Sequence, residues 1–267
     1  KLGARWNTTP YRHQKIGILA GLQNPTCYFL YEAGTGKTHV ALSLLLTRIQ
    51  KSEVEKCLVL VPGVANIGAW LEEIQRHAPE LSAVGLTDMT SEAKRRALAG
   101  DERIVVVTYM GWLKLIGMHF EVKKQGKRKT KSVVVDDAEL ATTIESLFQM
   151  VVFDEFNAAK NRKSLTFLAG VRLMRPAPYR YGLSGTPFHK DPTDLWSQMY
   201  ILDEGYSLGE GIGIFQAAYC TRKRNHFSGF FDFQFDERKR DEFQERLGHC
   251  AIRYSAKECM DLPTVTG

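Results

Sequence analysis

Cysteine is scarce: five in 267 residues, at positions 27, 57, 220, 250 and 259, an odd number with no C-x-x-C pair. That pattern excludes a disulfide-stapled scaffold and the common zinc and redox motifs. Cys27, Cys57 and Cys250 have apolar flanks and read as buried, reduced thiols of an intracellular protein. Long hydrophobic runs are missing too. The longest, Val40 to Leu46, is interrupted by Ser43, whereas a membrane-spanning helix needs ~20 apolar residues. The first residues, Lys1-Leu2-Gly3-Ala4-Arg5-Trp6, lack the apolar centre of a signal peptide. No sign of charge dominates: 36 Lys and Arg stand against 30 Asp and Glu, a net charge of +6. Mild basicity permits a polyanion partner without requiring one. With 44% apolar and 25% charged residues, the chain is neither a disordered tail nor a fibrous rod. Its length suits one large domain or two small ones.

What is present is an alternation of short apolar runs with helical patterns. Residues 27–31, 57–61, 103–109, 150–153 and 181–183 read as strands, with residues 81–86 a further candidate. Continuously apolar strands suit a parallel sheet covered on both faces by helices. Helices are expected over residues 38–50, after Asn66 as a cap, and over residues 91–98. The fold class is therefore α/β with a mainly parallel central sheet. Residues 118–135 form two β-rich arms around Gln125-Gly126-Lys127 and read as a hairpin insertion, followed by Asp136-Asp137 as a helix cap. It carries Lys123, Lys124, Lys127, Arg128, Lys129 and Lys131 against a single Glu121. After about residue 203 come an alternation of phenylalanines (Phe227 to Phe235) and a charged helix near residues 237–247. This tail reads as an appendage to the sheet domain.

Gly34-Thr35-Gly36-Lys37-Thr38 lies between the first strand and the helix after it. Glycines let the backbone turn its N–H groups toward an anion, and a helix N-terminus adds partial positive charge. Lys37 would reach the β- and γ-phosphates of a nucleotide and the Thr38 hydroxyl would ligate Mg²⁺. Tyr31 stands where the full phosphate-loop pattern has its first glycine. Asp154 and Glu155 end a strand. One acid there can hold Mg²⁺ while its neighbour orients or deprotonates the attacking water.

These pieces occur in an order that resembles the first RecA-like lobe of the SNF2 branch of superfamily 2 helicases. Gln14 lies upstream, in Pro10-Tyr11-Arg12-His13-Gln14. Tyr31 to Thr38 is similar to motif I, and Leu58 to Pro62 with Trp70-Leu71-Glu72-Glu73 to motif Ia. Val107-Thr108-Tyr109 is similar to motif Ib, and Asp154-Glu155-Phe156-Asn157-Ala158-Ala159-Lys160-Asn161 to motif II. Tyr181 to Pro187 with Asp194-Leu195-Trp196 resembles motif III, and Ile252-Arg253-Tyr254 with Leu262-Pro263 the passage to a linker. Asn157 replaces the usual His of motif II, and Ser184 the common Thr of motif III.

The resemblance implies an ATP-driven double-stranded DNA translocase that uses ATP and Mg²⁺. The implied catalytic residues are Lys37, Asp154 and Glu155. Nucleotide would be held by Gln14, Gly34, Thr35, Gly36, Lys37 and Thr38, and metal by Thr38 and Asp154. Coupling would pass through Asn157, Ser184, Gly185 and Thr186. The DNA backbone would meet Asn66, Thr108, Tyr109, Lys160 and Asn161, and the hairpin's Lys127, Arg128 and Lys129. The expected organisation is one RecA-like lobe over residues 1–203, then an appendage over 204–267 leading to a linker. A second lobe, in the same or a partner chain, would complete the motor. The other partner would be double-stranded DNA, with no membrane and a monomeric state. Two other readings stay open: a strand-separating RNA or DNA helicase of the same superfamily, and a nucleotide-dependent binding module inactive by itself.

Overall fold

The continuously apolar runs become strands buried on both faces, because helices cover both sides of the sheet they form. The computed structural model describes residues 8–125, 128–185, 193–224 and 231–259. In chain order the elements begin α1 (Arg12–Gln23), β1 (Thr26–Tyr31), α2 (Lys37–Gln50), β2 (Cys57–Val61), α3 (Val64–His77) and β3 (Ala83–Gly85). There follow α4 (Ser91–Leu98), β4 (Ile104–Thr108), α5 (Tyr109–Leu115), β5 (Met118–Gln125), β6 (Arg128–Val135), α6 (Ala138–Glu145) and β7 (Met150–Phe153). The chain continues through α7 (Leu165–Met174), β8 (Tyr179–Ser184), α8 (Thr193–Asp203), α9 (Ile212–Tyr219), β9 (Cys220–Arg224) and β10 (Phe231–Phe235). It closes with α10 (Arg240–Gly248), β11 (Ala251–Tyr254) and α11 (Ala256–Cys259).

Seven strands make one sheet in the order β11-β1-β8-β7-β2-β4-β3, and every neighbouring pair is parallel. Side chains alternate between two cores. Phe29, Tyr31, Val59 and Val61 face α1, α2 and α3, where they meet Ile18, Leu44 and Ile74. Tyr28, Leu30, Leu58 and Leu60 face the opposite layer, with Trp112, Leu173 and Met199. The strand order decides where a site can form. From β1 the chain crosses over two positions later filled by β8 and β7, so the loops after β1, β8 and β7 meet at the carboxyl edge of three adjacent strands. The loops after β2 and β4 lie next along that edge.

The insertion is an antiparallel hairpin, β5 against β6, with Met118 opposite Val135 and Gln125 opposite Arg128. Residues 126 and 127, its expected turn, lie outside the described residues. Asp137 caps α6, its carboxylate accepting from the Leu140 N–H at 2.9 Å. One expected cap is corrected: α3 starts at Val64, capped by the extended Gly63, and Asn66 sits inside its first turn. Helix entry follows at once from Pro62-Gly63, so no side-chain cap is needed at Asn66.

The segment after Asp203 returns to the sheet. Phe215, Tyr219, Phe235 and Phe243 pack ring against ring. Beyond α10, β11 pairs parallel with β1, Tyr28 opposite Ala251 and Tyr31 opposite Tyr254. Phe227 and Phe230 of the phenylalanine alternation, and Leu262 and Pro263, lie outside the described residues. Cys27, Cys57 and Cys250 are buried. No helix among the described residues is long and apolar enough to cross a membrane.

Candidate functional site

The loop between β1 and α2 turns on two glycines, Gly34 at φ +78° and Gly36 at φ +79°. Gly36 is the residue from which α2 departs, so Lys37 and Thr38 open that helix. Thr35 is pinned from both sides. Its hydroxyl donates to the Glu32 carbonyl at 2.7 Å, and its own carbonyl lies 2.8 Å from His13 Nε2 and 3.2 Å from Gln14 Nε2. The half-buried Lys37 donates through Nζ to the Tyr31 carbonyl at 3.0 Å.

Gln14 is buried against this loop. Its Oε1 accepts from the Tyr11 N–H at 2.8 Å and lies 3.2 Å from His39 Nδ1, while Nε2 donates to Thr35. A primary amide has two N–H groups, so one further N–H is available. Burial, and then the facing His77 ring, push His39 down to about 4, which keeps it neutral. The two rings stack at 4.2 Å. A cavity of about 740 Å³ opens on this side of the loop, lined by Tyr11, Gln14, Gly34, Thr35, Gly36 and His39 among others. Neither histidine stands out in the sequence, because their role comes from a contact between α2 and the end of α3.

Asp154 and Glu155 leave the end of β7. Glu155 adopts a left-handed backbone, φ +44°, uncommon outside glycine and a frequent mark of functional positions. Asp154 accepts the Glu155 N–H through Oδ1 at 3.0 Å and the Trp70 Nε1–H through Oδ2 at 2.9 Å. Burial raises its carboxyl above the ordinary value, opposed by the Trp70 and Glu155 donors and the Lys37 charge. Ser184 ends β8, fully buried, and Gly185 follows. A Cβ built on Gly185 would stand 3.5 Å from Lys37 Nζ, 3.7 Å from the Ala33 N and 3.7 Å from Glu155 Oε1. Lys37, Glu155 and Gly185 therefore line one small space, although 148 positions separate the first from the last. Asn157 lies in the 3-10 turn Phe156–Ala159. Thr186 lies outside the described residues.

The oxygen donors available to Mg²⁺ are the Asp154 carboxylate and the Thr38 hydroxyl. The part-buried carboxylate lies close enough to Lys37, the first residue of α2, for that charge to act on it, and Thr38 follows Lys37 in the helix. Hard oxygen donors on a loop built for anions suit a magnesium–phosphate pair, and the residues fit the group.

The residues expected to meet DNA are spread along the neighbouring loops. Asn66 is half-buried at the start of α3. Thr108 caps α5, accepting from Gly111 N–H at 2.9 Å. Tyr109 is only 6% exposed and its hydroxyl donates to the Asp154 carbonyl at 2.9 Å. Most of the Tyr109 ring is therefore packed inside the lobe, with its hydroxyl on the chain segment that carries Asp154. Lys160 reaches Asp194 at 3.6 Å, so motif II and the start of α8 are joined by an ion pair. Asn161 accepts the Lys163 N–H at 2.9 Å. Lys129 is exposed on β6, Arg128 belongs to the same strand, and Lys127 lies outside the described residues.

The fold has counterparts. The SWI2/SNF2 ATPase core of Sulfolobus solfataricus, solved in complex with dsDNA, superposes with a TM-score of 0.69 at 21% identity, covering 96% of this chain and 47% of that one. The sheet is thus the RecA-like one. Among curated proteins, the TATA-binding protein-associated factor mot1 of Aspergillus fumigatus is 25% identical over 211 residues, 74% of this chain and 10% of its own length. The ISWI chromatin-remodeling complex ATPase CHR17 of Arabidopsis thaliana is 26% identical over 210 residues, 78% of this chain and 17% of its own length. The chain thus spans about half of the matched archaeal core and a smaller part of those curated relatives. The SNF2-related domain model matches residues 2–247, and with the motif residues gathered at one sheet edge the chain belongs to the SNF2-related domain family.

Proposed function

We propose that this chain is the ATP-binding lobe of a motor that moves along double-stranded DNA. The observation that carries this reading is the convergence of Lys37, Glu155 and Gly185 on one space at the ends of adjacent strands. Lys37 exchanges the Tyr31 carbonyl for the terminal phosphates, and the N–H groups around Gly34 and Gly36 cradle them. The Thr38 hydroxyl and the Asp154 carboxylate hold Mg²⁺, which neutralises charge between the phosphates when bound. Glu155 takes the proton of the attacking water. The remaining N–H of Gln14 would meet the adenine ring in the adjoining cavity, which Gln14 lines. Coupling would pass through Asn157, Ser184, Gly185 and Thr186, and the Lys160–Asp194 ion pair ties motif II to α8.

On the DNA side, Asn66, Thr108, Lys160 and Asn161 would grip phosphates without reading bases. The hairpin's Lys127, Arg128 and Lys129 would add non-specific affinity.

The test separates binding from turnover in a two-lobe protein. Glu155→Gln should keep ATP affinity within about twofold and lower turnover by ~10²–10⁴, the span of general-base catalysis. Lys37→Ala should weaken ATP binding about tenfold to a hundredfold, as loss of a charge-assisted hydrogen bond does. Near-normal turnover by Glu155→Gln would remove its assigned role.

A further inference from the structure

Asp154 is held by residues of α3 and α5, outside the phosphate loop. β7 stands between the strands that carry the phosphate loop and Gly185 on one side and those that carry the loops after β2 and β4 on the other. From the second group, Trp70 donates to the Asp154 carboxylate and Tyr109 to its backbone carbonyl, both at 2.9 Å. Trp70 lies one helical turn after Asn66 on α3 and is 3% exposed.

The chemistry of that contact is specific. Phenylalanine would offer the core a ring without a donor, whereas the indole brings a single N–H, and buried indoles usually place it on an acceptor. Here the acceptor is one oxygen of the carboxylate assigned to Mg²⁺, and the other oxygen already takes the Glu155 N–H. Each carboxylate oxygen can accept twice. Both therefore keep a lone pair for the metal or its water, while the two donors fix the plane in which those lone pairs lie. Outer donors of this kind orient metal ligands and tune them.

We propose that Trp70 is a positioning residue that sets the Asp154 carboxylate for the magnesium–nucleotide pair. It rests on the ATP–Mg²⁺ reading above, and it assigns to α3 a role at the metal in addition to its packing against the sheet.

The experiment measures the affinity of the chain for a fluorescent ADP analogue, once with MgCl₂ and once with EDTA, for wild type and Trp70→Phe. The ratio of the two affinities isolates the contribution of the metal. In Trp70→Phe this ratio should fall about ten- to a hundredfold, the usual loss when an outer-shell partner of a metal ligand is removed. Affinity in EDTA should stay within about twofold, because the phosphate loop is untouched. In an Asp154→Asn background the same change should have no further effect on the ratio. If Trp70→Phe does not fold, benzothienylalanine at position 70 keeps both rings and removes only the N–H, and the same fall is expected.

A wild-type ratio in the variant would overturn the proposal and leave the ATP–Mg²⁺ reading standing. Equal losses in MgCl₂ and EDTA would also overturn it, since they mark a packing role. If wild type gains no affinity from MgCl₂, the reading of the site itself falls and the positioning role with it.

Discussion

Gly36 is held to glycine for two separable reasons. Its φ of +79° is open to glycine and strained for other residues, and a Cβ there would collide with Gln14 Nε2. Gly36→Ala should therefore lose about 1–2 kcal/mol to the left-handed backbone, plus a clash that Gln14 must relieve by leaving the loop. Urea denaturation of Gly36→Ala, with and without Gln14→Ala, separates the two. The Gln14→Ala background should cut the cost to the backbone part. An unchanged cost there would show that the amide is not what Gly36 makes room for. Loop glycines, Lys37 and the Asp154–Glu155 pair are legible in the sequence because each is a local signal: a short pattern between a strand and a helix. Trp70 is not legible as more than core. Its apolar neighbours at helical spacing explain it fully until the fold brings in Asp154, 84 positions later. The burial of Tyr109 is likewise set by the fold, its hydroxyl meeting the Asp154 carbonyl 45 positions later.

At the scale of elements, the β5–β6 hairpin concentrates charge where no core needs it. The register sets Lys124 directly opposite Lys129, and like charges facing each other across a ladder are destabilising without a counterion. Some of its cations are already engaged, Lys131 over the Phe120 ring at 3.6 Å and Lys123 beside Glu121 at 3.3 Å. About two to four phosphate contacts are then expected, each adding roughly −0.9 to the slope of log K against log salt. Replacing the six cations from Lys123 to Lys131 by Ser or Gln should flatten that slope by about 2 to 4 and weaken duplex binding equally on all sequences. Nucleotide affinity should not change, since the hairpin enters between β4 and β7, away from the phosphate loop. A salt titration of a two-lobe protein decides: unchanged slopes would return the segment to a solvated arm. The hairpin and the five apolar strands were legible because alternation and continuous apolar runs are one-dimensional signals. β11 was not. Ala251-Ile252-Arg253-Tyr254 has neither pattern, and it becomes a strand because its backbone completes the open edge of β1, more than two hundred positions earlier.

For the whole molecule, the space shared by Lys37, Glu155 and Gly185 lies at the carboxyl edge of the sheet, with this lobe supplying one wall. The resemblance to SNF2 motors implies an opposite wall from a second RecA-like lobe, and this chain spans 47% of the matched archaeal core. In the proposed reading, Lys37, the loop N–H groups and the metal ligands already hold the phosphates before reaction, and Glu155 acts on the water. Charge that builds in the transition state needs a cation brought from outside the loop, which in other phosphate-loop enzymes is an arginine worth ~10³–10⁵ in rate. The chain alone should therefore bind ATP with Mg²⁺ and hydrolyse it slowly, with little response to duplex DNA. Joining it to a second lobe should raise turnover by about 10³–10⁵ and make it depend on DNA, because the lobes then close on nucleotide and duplex together. Steady-state ATPase assays of the 267-residue chain and of the joined protein, each with and without duplex, measure this directly. Strong DNA-stimulated turnover by the chain alone would mean that the wall described here already stabilises the transition state, and the second lobe would be left with the mechanical part of the cycle.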